Sequence, residues 1–180
     1  MKLLFSFAGV LLLTALSLQG AGELSNRRAP GFSLPDMNLR QHDLTDYRGK
    51  IVLIDIMQTK CPHCRVFSKI LEEAKSRYGD RIAILSVVNP PDNQGTVAGY
   101  IQDTKATTPV LFDCGQMAAS YLKATPANPA VSVPHLFIID GDGMIRNDYG
   151  YGAATKEIFE GRGLFVELEK MLAANPARKR

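Results

Sequence analysis

Ile51-Val52-Leu53-Ile54-Asp55-Ile56-Met57-Gln58-Thr59-Lys60-Cys61-Pro62-His63-Cys64 is the stretch whose reading decides the architecture. Its first half is apolar and rich in β-branched residues, with one acid, Asp55, inside it. A half-exposed strand would alternate apolar and polar residues. A run that is apolar at both parities reads as a strand buried on both faces, as in a sheet covered by helices. The second half opens a helix. Phe67, Ile70, Leu71, Ala74 and Tyr78 recur at helical spacing, and Gly79 stands where a glycine ends a helix. Pro62 suits a first helical turn, where its missing N–H leaves no bond unmade. The two cysteines therefore lie at a strand-to-helix junction.

The same alternation continues outward. Ile82–Val88 reads as a second buried strand, Thr96–Lys105 as a short helix, Val110–Phe112 as a short strand and Gly115–Leu122 as another short helix. His135–Ile139 reads as a strand, Gly141-Asp142-Gly143 as a tight turn, and Met144–Tyr149 as the hairpin partner. A helix over about Leu164–Ala174 closes the chain, with Gly161 and Gly163 making its start irregular. Ala29–Pro35 is an extended entry segment, Asp46–Lys50 a turn, and Asn89–Asn93 and Ala124–Ala130 are loops. Strands alternating with helical crossovers predict an α/β fold: a partly parallel central sheet with helices on both faces and an antiparallel edge from the hairpin.

At 180 residues, 46% hydrophobic and 22% charged, the chain can bury one real core but not two large ones. That composition argues against disorder, collagen and a long coiled coil. A net charge of +3, whose one basic cluster is Arg178-Lys179-Arg180, argues against a nucleic-acid binder. Three cysteines cannot staple a disulfide mini-domain, and one thiol is left without a partner in the chain. Lys2, the apolar run Leu3–Leu16 and the small residues Ser17, Gly20, Ala21 and Gly22 form the three parts of a secretory signal peptide. The run is shorter than the ~20 residues a spanning helix needs. The expected organisation is a leader over residues 1–22, with an uncleaved membrane anchor as the alternative, and a single domain over 23–180. Ala15-Leu16-Ser17 and Gly20-Ala21-Gly22 are both possible cleavage sites. Export would place the domain where disulfides persist, in the periplasm or another extracytoplasmic space.

Cys61 at a helix N-terminus faces unpaired N–H groups and the positive end of the helix dipole, which stabilise a thiolate. Cys64, one turn further in, is close enough to close a disulfide. Such a pair suits thiol–disulfide exchange, with Cys61 as attacking nucleophile. The competing reading is half of a zinc site. That would want a second Cys pair or a His pair, and local spacing offers neither.

These segments resemble the thioredoxin superfamily, and within it the TlpA/ResA-like exported thiol–disulfide oxidoreductases, often labelled redoxin or AhpC/TSA-like. Ala29–Leu34 and Leu44–Ile54 look like that family's opening, Asp55–Cys64 like its active-site block, and Val133–Gly143 like its cis-Pro strand and hairpin. The resemblance implies a thioredoxin-like fold: a central mixed sheet flanked by helices on both faces, with an N-terminal extension and a helical insertion. It implies that Cys61 is the nucleophile and Cys64 the resolving thiol. Asp55 would be the buried acid that accepts the proton of Cys64, with a carboxyl pKa raised by desolvation. Pro134 would be the cis-proline packed on the disulfide, and the Val133 backbone would pair with the substrate as an added strand. No cofactor is implied. The expected partners are proteins with cysteines and a membrane redox partner, for a protein that is itself a monomer.

Departures from the family pattern carry their own expectations. Met57 and Lys60 stand where aromatic residues are usual, and Lys60 would add positive charge beside Cys61. His135 follows the cis-proline in place of threonine and would sit at the mouth of the site. Phe67 replaces the ResA-like glutamate, leaving Asp55 as the evident buried acid. Pro62-His63 is the dipeptide of the oxidising DsbA-like enzymes, in which a histidine further stabilises the thiolate and so the reduced form. The TlpA-like layout belongs to a mostly reducing group, so motif and scaffold disagree about the direction of electron flow. Cys114 is the leftover thiol, expected near the same end of the sheet as the active site. Two other functions compete. A thiol peroxidase would carry its threonine one residue further from the cysteine than Thr59 stands from Cys61, and a proline at Ile54. A copper chaperone would use Cys61, Cys64, His63 and His135, since thiolates and imidazoles suit copper, but copper-delivery relatives use a wider cysteine spacing.

Overall fold

The structure is a computed structural model that describes residues 22–129 and 131–174. The leader expected at the N-terminus lies outside the described residues except for Gly22, as does the basic cluster Arg178–Arg180.

Six strands of one sheet and the two strands of a short N-terminal hairpin interleave with the helices as follows. β1 is Arg27–Arg28, β2 Ser33–Pro35, β3 Gln41–Asp43, β4 Ile51–Met57 and α1 Pro62–Tyr78. Then come β5 Ile82–Val88, α2 Gln94–Thr104, β6 Val110–Phe112, α3 Gln116–Leu122, β7 His135–Ile139 and β8 Met144–Gly150. The described residues end on α4 Lys156–Phe159 and α5 Arg162–Ala174. The main sheet has the order β1-β8-β7-β4-β5-β6, and β2 and β3 form a separate hairpin. This is the thioredoxin-like α/β fold, with a mixed sheet at its centre.

β4 occupies the middle of that sheet. It runs parallel to β5 and antiparallel to β7, so both its edges are hydrogen-bonded. All seven of its residues are buried. Alternate residues serve opposite faces. Ile51 and Leu53 pack on Phe67, Leu71 and Ala74 of α1 and on Leu164, Leu168 and Leu172 of α5. Val52, Ile54 and Ile56 pack on Phe32 and Leu34 of the N-terminal segment and on Met117 and Tyr121 of α3. The sequence pattern, apolar at both parities, is the direct consequence of this two-sided burial.

Two details differ from the sequence reading. The β7–β8 hairpin is not the edge of the sheet. Arg27 and Arg28 pair with Ile145 and Met144 and cover β8, and Arg27 also donates to the Tyr121 carbonyl at 2.7 Å. Two residues are too short a run to show strand periodicity. The closing helix is likewise preceded by a separate turn of helix, α4, whose Phe159 is buried against α1. Gly161, at φ +94°, supplies the left-handed residue that separates α4 from α5.

Leu53 is fully buried between α1 and α5, whereas Val166 on α5 is 52% exposed. Leu53→Ala is expected to lower the unfolding free energy by about 2–5 kcal/mol, and Val166→Ala to change it by no more than about 0.5 kcal/mol. Urea denaturation followed by circular dichroism measures both.

Candidate active site

The C-terminal end of β4 delivers the chain through Gln58-Thr59-Lys60 to the start of α1. Cys61 is the N-cap of that helix. Its Sγ accepts the backbone N–H of Cys64 at 3.3 Å and lies 4.0 Å from the carbonyl oxygen of Val133. Cys61 is half-buried and Cys64 wholly buried. The pair is therefore asymmetric. One sulfur is reachable and held among helix N-terminal amides, where negative charge is favoured; the other is shielded beneath it.

The loop that presents Cys61 is clamped from the next crossover. Asp92 accepts the Thr59 N–H at 2.9 Å and also the Thr59 hydroxyl. Its other bond comes from the Thr96 hydroxyl at 2.9 Å, in the first turn of α2. From the helix side, Arg65 donates to the Thr59 carbonyl at 3.0 Å and pairs with Asp103 of α2 at 3.1 Å. Thr59, Asp92 and Arg65 escape a sequence reading because the loop around Asp92 shows only that it is a loop, not what it grips. Lys60 is exposed at the end of this loop, next to Cys61.

Asp55 lies fully buried, and neither carboxyl oxygen has a hydrogen-bond partner among the described residues. Burial pushes its carboxyl pKa up to about 8. Burial also pushes the Cys64 thiol up strongly, and the negative charge of Asp55 adds to that rise. Two buried groups that resist charging thus feel each other's charge near Cys61, so the site tolerates one buried negative charge far better than two. The Tyr100 hydroxyl, from α2, is also buried and has no hydrogen-bond partner among the described residues; burial, offset in part by the nearby Ser68 side chain and reinforced by the charges of Asp55 and Cys64, pushes it up to about 12. Two other acids are buried among the described residues, Asp113 and Asp148, but both are satisfied. Asp113 accepts three N–H groups at the start of α3, and Asp148 is bonded as described next.

The segment before β7 completes the site. The Val133–Pro134 peptide is cis, and Pro134 is buried. His135, however, is not at the mouth of the site. It is buried, with Nε2 3.3 Å from Asp148 Oδ1, and its ring stacks on Phe137. Strand alternation is the reason. Leu136 and Ile138 face α1, so His135 and Phe137 face the opposite side of the sheet with Ile54 and Ile56. Burial alone would raise the Asp148 carboxyl; bonds from His135, Ser25 and the Leu24 N–H outweigh it and hold the group below its ordinary value. His135 thus ties β7 to the N-terminal segment and does not join Cys61, Cys64 and His63. His63 is exposed, its ring laid on that of Tyr151. Cys114, also exposed, follows β6 at the end of the sheet where β4 and β5 terminate at the site. Among the described residues, no three His, Cys, Asp or Glu side chains are grouped to hold a metal ion.

A reachable thiol at a helix N-cap, a buried second thiol and a cis-Pro segment alongside are the parts of a dithiol exchange centre. The sequence profile of the AhpC/TSA family matches residues 26–148. The chain belongs to that family. It is 27% identical to the thioredoxin-like protein YneN of Bacillus subtilis, over 88% of this chain and 89% of that one. It is 30% identical to the thiol-disulfide oxidoreductase ResA of Geobacillus thermodenitrificans, over 72% of this chain and 70% of that one. A solved structure of a putative thiol:disulfide interchange protein DsbE from Chlorobium tepidum superposes with a TM-score of 0.63 at 22% identity, covering 78% of this chain and 96% of that one. This AhpC/TSA-family protein is a thiol–disulfide oxidoreductase with a thioredoxin-like fold.

The burial of Asp55 has a sign that stability measurements read. Its folded pKa lies above the unfolded value near 4, so ionisation favours the unfolded chain. Stability from the neutral carboxyl is complete below about pH 4 and is lost as pH rises toward 8. Asp55→Asn is therefore expected to match the parent near pH 4 and to exceed it at pH 7 by roughly 1–4 kcal/mol. Urea melts across pH 4–8 check this, and a difference that does not vary with pH would contradict it.

Proposed function

We propose that this protein is exported and exchanges disulfides with protein cysteines through Cys61 and Cys64. The observation that carries the reading is the asymmetry of the dithiol: Cys61 half-buried at the helix N-cap, Cys64 sealed below it near an Asp55 whose carboxyl has no hydrogen-bond partner among the described residues. In the reducing direction, the Cys61 thiolate attacks one sulfur of a substrate disulfide. A Cys61–substrate disulfide forms, and the other substrate sulfur leaves as a thiolate. Cys64 then transfers its proton to the Asp55 carboxylate and attacks Cys61 Sγ. The mixed disulfide breaks, the second substrate thiolate leaves and is protonated, and Cys61–Cys64 is left oxidised by two electrons. A base with a pKa of about 8 removes a thiol proton more readily than an ordinary carboxylate would. The reverse sequence oxidises a substrate dithiol.

Substrate would be held by the Val133 backbone, whose carbonyl faces Cys61, as a strand added beside the cis-proline. Pro134 would pack on the disulfide. Residues 1–22 act as the export leader, and a membrane-bound dithiol partner re-reduces the protein, which works as a monomer. Pro62, His63 and Lys60 set the redox balance. Positive charge beside Cys61 favours thiolate over disulfide, so the expected potential is roughly −150 to −220 mV, less reducing than thioredoxin.

Cys61→Ser is expected to abolish reduction of insulin disulfides, and Cys64→Ser to accumulate mixed disulfides visible on non-reducing gels, because the resolving thiol is gone. Alkylation of Cys64 in preference to Cys61 at neutral pH would reverse the assignment. Asp55→Asn is expected to slow resolution more than attack in stopped-flow measurements between pH 6 and 8; equal rates for parent and variant would make Asp55 structural only. His63→Pro is expected to move the potential toward more reducing values in a glutathione titration, since it removes one stabiliser of the thiolate. An unchanged potential would leave the scaffold, not the dipeptide, as the guide to direction.

A further inference from the structure

His63, between the two cysteines, does not stand free. Its ring lies against that of Tyr151, with centroids 4.2 Å apart and planes inclined by 24°. Tyr151 follows β8 and is fixed from two other sides. Its backbone N–H donates to the carbonyl of Pro134 at 3.1 Å. Its ring meets Phe159 of α4 edge-on at 5.4 Å, and Phe159 meets Phe67 of α1 at 4.8 Å. Phe67 and Phe159 are both buried.

One residue therefore lays its ring on His63 between the cysteines, ties its backbone N–H to the cis-proline carbonyl and is backed by the core. Two physical effects follow. A ring held on a rigid aromatic loses the freedom to swing away from the helix N-terminus. An aromatic face is electron-rich, so it attracts the cationic form of an imidazole stacked on it. Both act in the same direction on a thiolate at Cys61.

We propose that Tyr151 is a positioning residue of the redox centre: by holding the His63 ring beside the start of α1, it sets how strongly His63 favours the dithiol over the disulfide. The proposal rests on the reading of His63 as a redox-tuning residue. It also makes the redox balance depend on the β8–α4 connection, since the same residue grips the Pro134 carbonyl.

The test is a double-mutant cycle on the full folded protein. The equilibrium constant of the Cys61–Cys64 couple against glutathione is measured for the parent, Tyr151→Leu, Tyr151→Phe, His63→Gln and the pair Tyr151→Leu with His63→Gln. Tyr151→Leu is expected to shift the equilibrium about threefold toward the disulfide, a change of about 14 mV for a two-electron couple. Tyr151→Phe keeps the stacked ring and is expected to match the parent. The Leu shift is expected to vanish when His63 is already replaced. A second readout is the ring-proton chemical shifts of His63, displaced upfield by the Tyr151 ring in the parent and in Tyr151→Phe, and released in Tyr151→Leu. Loss of core packing alone would move neither the His63 dependence of the constant nor the contrast between Phe and Leu. If Tyr151→Leu leaves the constant unchanged, or shifts it equally with and without His63, while His63→Gln alone still moves it, the proposal is overturned and the reading of His63 stands. If His63→Gln leaves the constant unchanged, the reading of His63 falls and the proposal with it.

Discussion

The Asp55 carboxyl is sealed inside a strand whose seven residues are all buried, and neither of its oxygens meets a hydrogen-bond donor among the described residues. An acid placed this way resists ionisation, because water cannot solvate its charge and no protein group takes water's place. Such a position has a cost in stability at neutral pH, and it persists because the strand around it is held on four sides. β5 and β7 bond its edges, α1 and α5 cover one face, and α3 with the N-terminal segment covers the other. Without that enclosure, the carboxyl would be hydrated and would behave as any surface aspartate.

The same enclosure aims the cysteines. β4 ends where its last residue, Met57, joins Cys64, Val88 and Tyr100 in an apolar cluster, so the chain must leave the sheet and enter α1 within a few residues. Cys61 falls at the N-cap, where amides point outward, and Cys64 falls one turn deeper, within reach of the Asp55 charge. One sulfur is thus left reachable and the other sealed by their positions on a single helical turn. The loop between strand and helix is short, yet it is not left to itself. Asp92, from the β5–α2 crossover, accepts both the amide and the hydroxyl of Thr59, and Arg65 holds the Thr59 carbonyl from the opposite side. Preorganisation of this kind keeps the nucleophile in place before a substrate arrives.

Segments remote in the chain supply the rest of the site. Val133 and Pro134 arrive with β7, and Tyr151 links the Pro134 carbonyl to the His63 ring and, through Phe159, to Phe67 in the core. His135 shows how strictly the sheet sorts neighbours. One residue after the proline, it points to the opposite face and joins Asp148, Ser25 and Leu24, binding the N-terminal segment to the hairpin. Its place directly after the cis-proline does not bring its ring to Cys61. In a strand, side chains one residue apart stand on opposite sides.

By itself the sequence determined what local pattern can encode. Apolar residues at both parities placed Ile51–Met57 and Ile82–Val88 as buried strands, because two-sided burial leaves no polar alternation. Helical spacing ending at Gly79, with Pro62 at the start, placed α1 and put Cys61 at its N-terminus, because capping and turn preferences act over a few residues. The strand order, the pairing of Arg27–Arg28 with β8, the grip of Asp92 on Thr59, the stacking of Tyr151 on His63 and the turning away of His135 were decided only by the tertiary structure. Each joins groups that lie far apart along the chain or fixes which side of the sheet a residue serves. Such contacts arise from how faces pack, and no spacing within one segment specifies them.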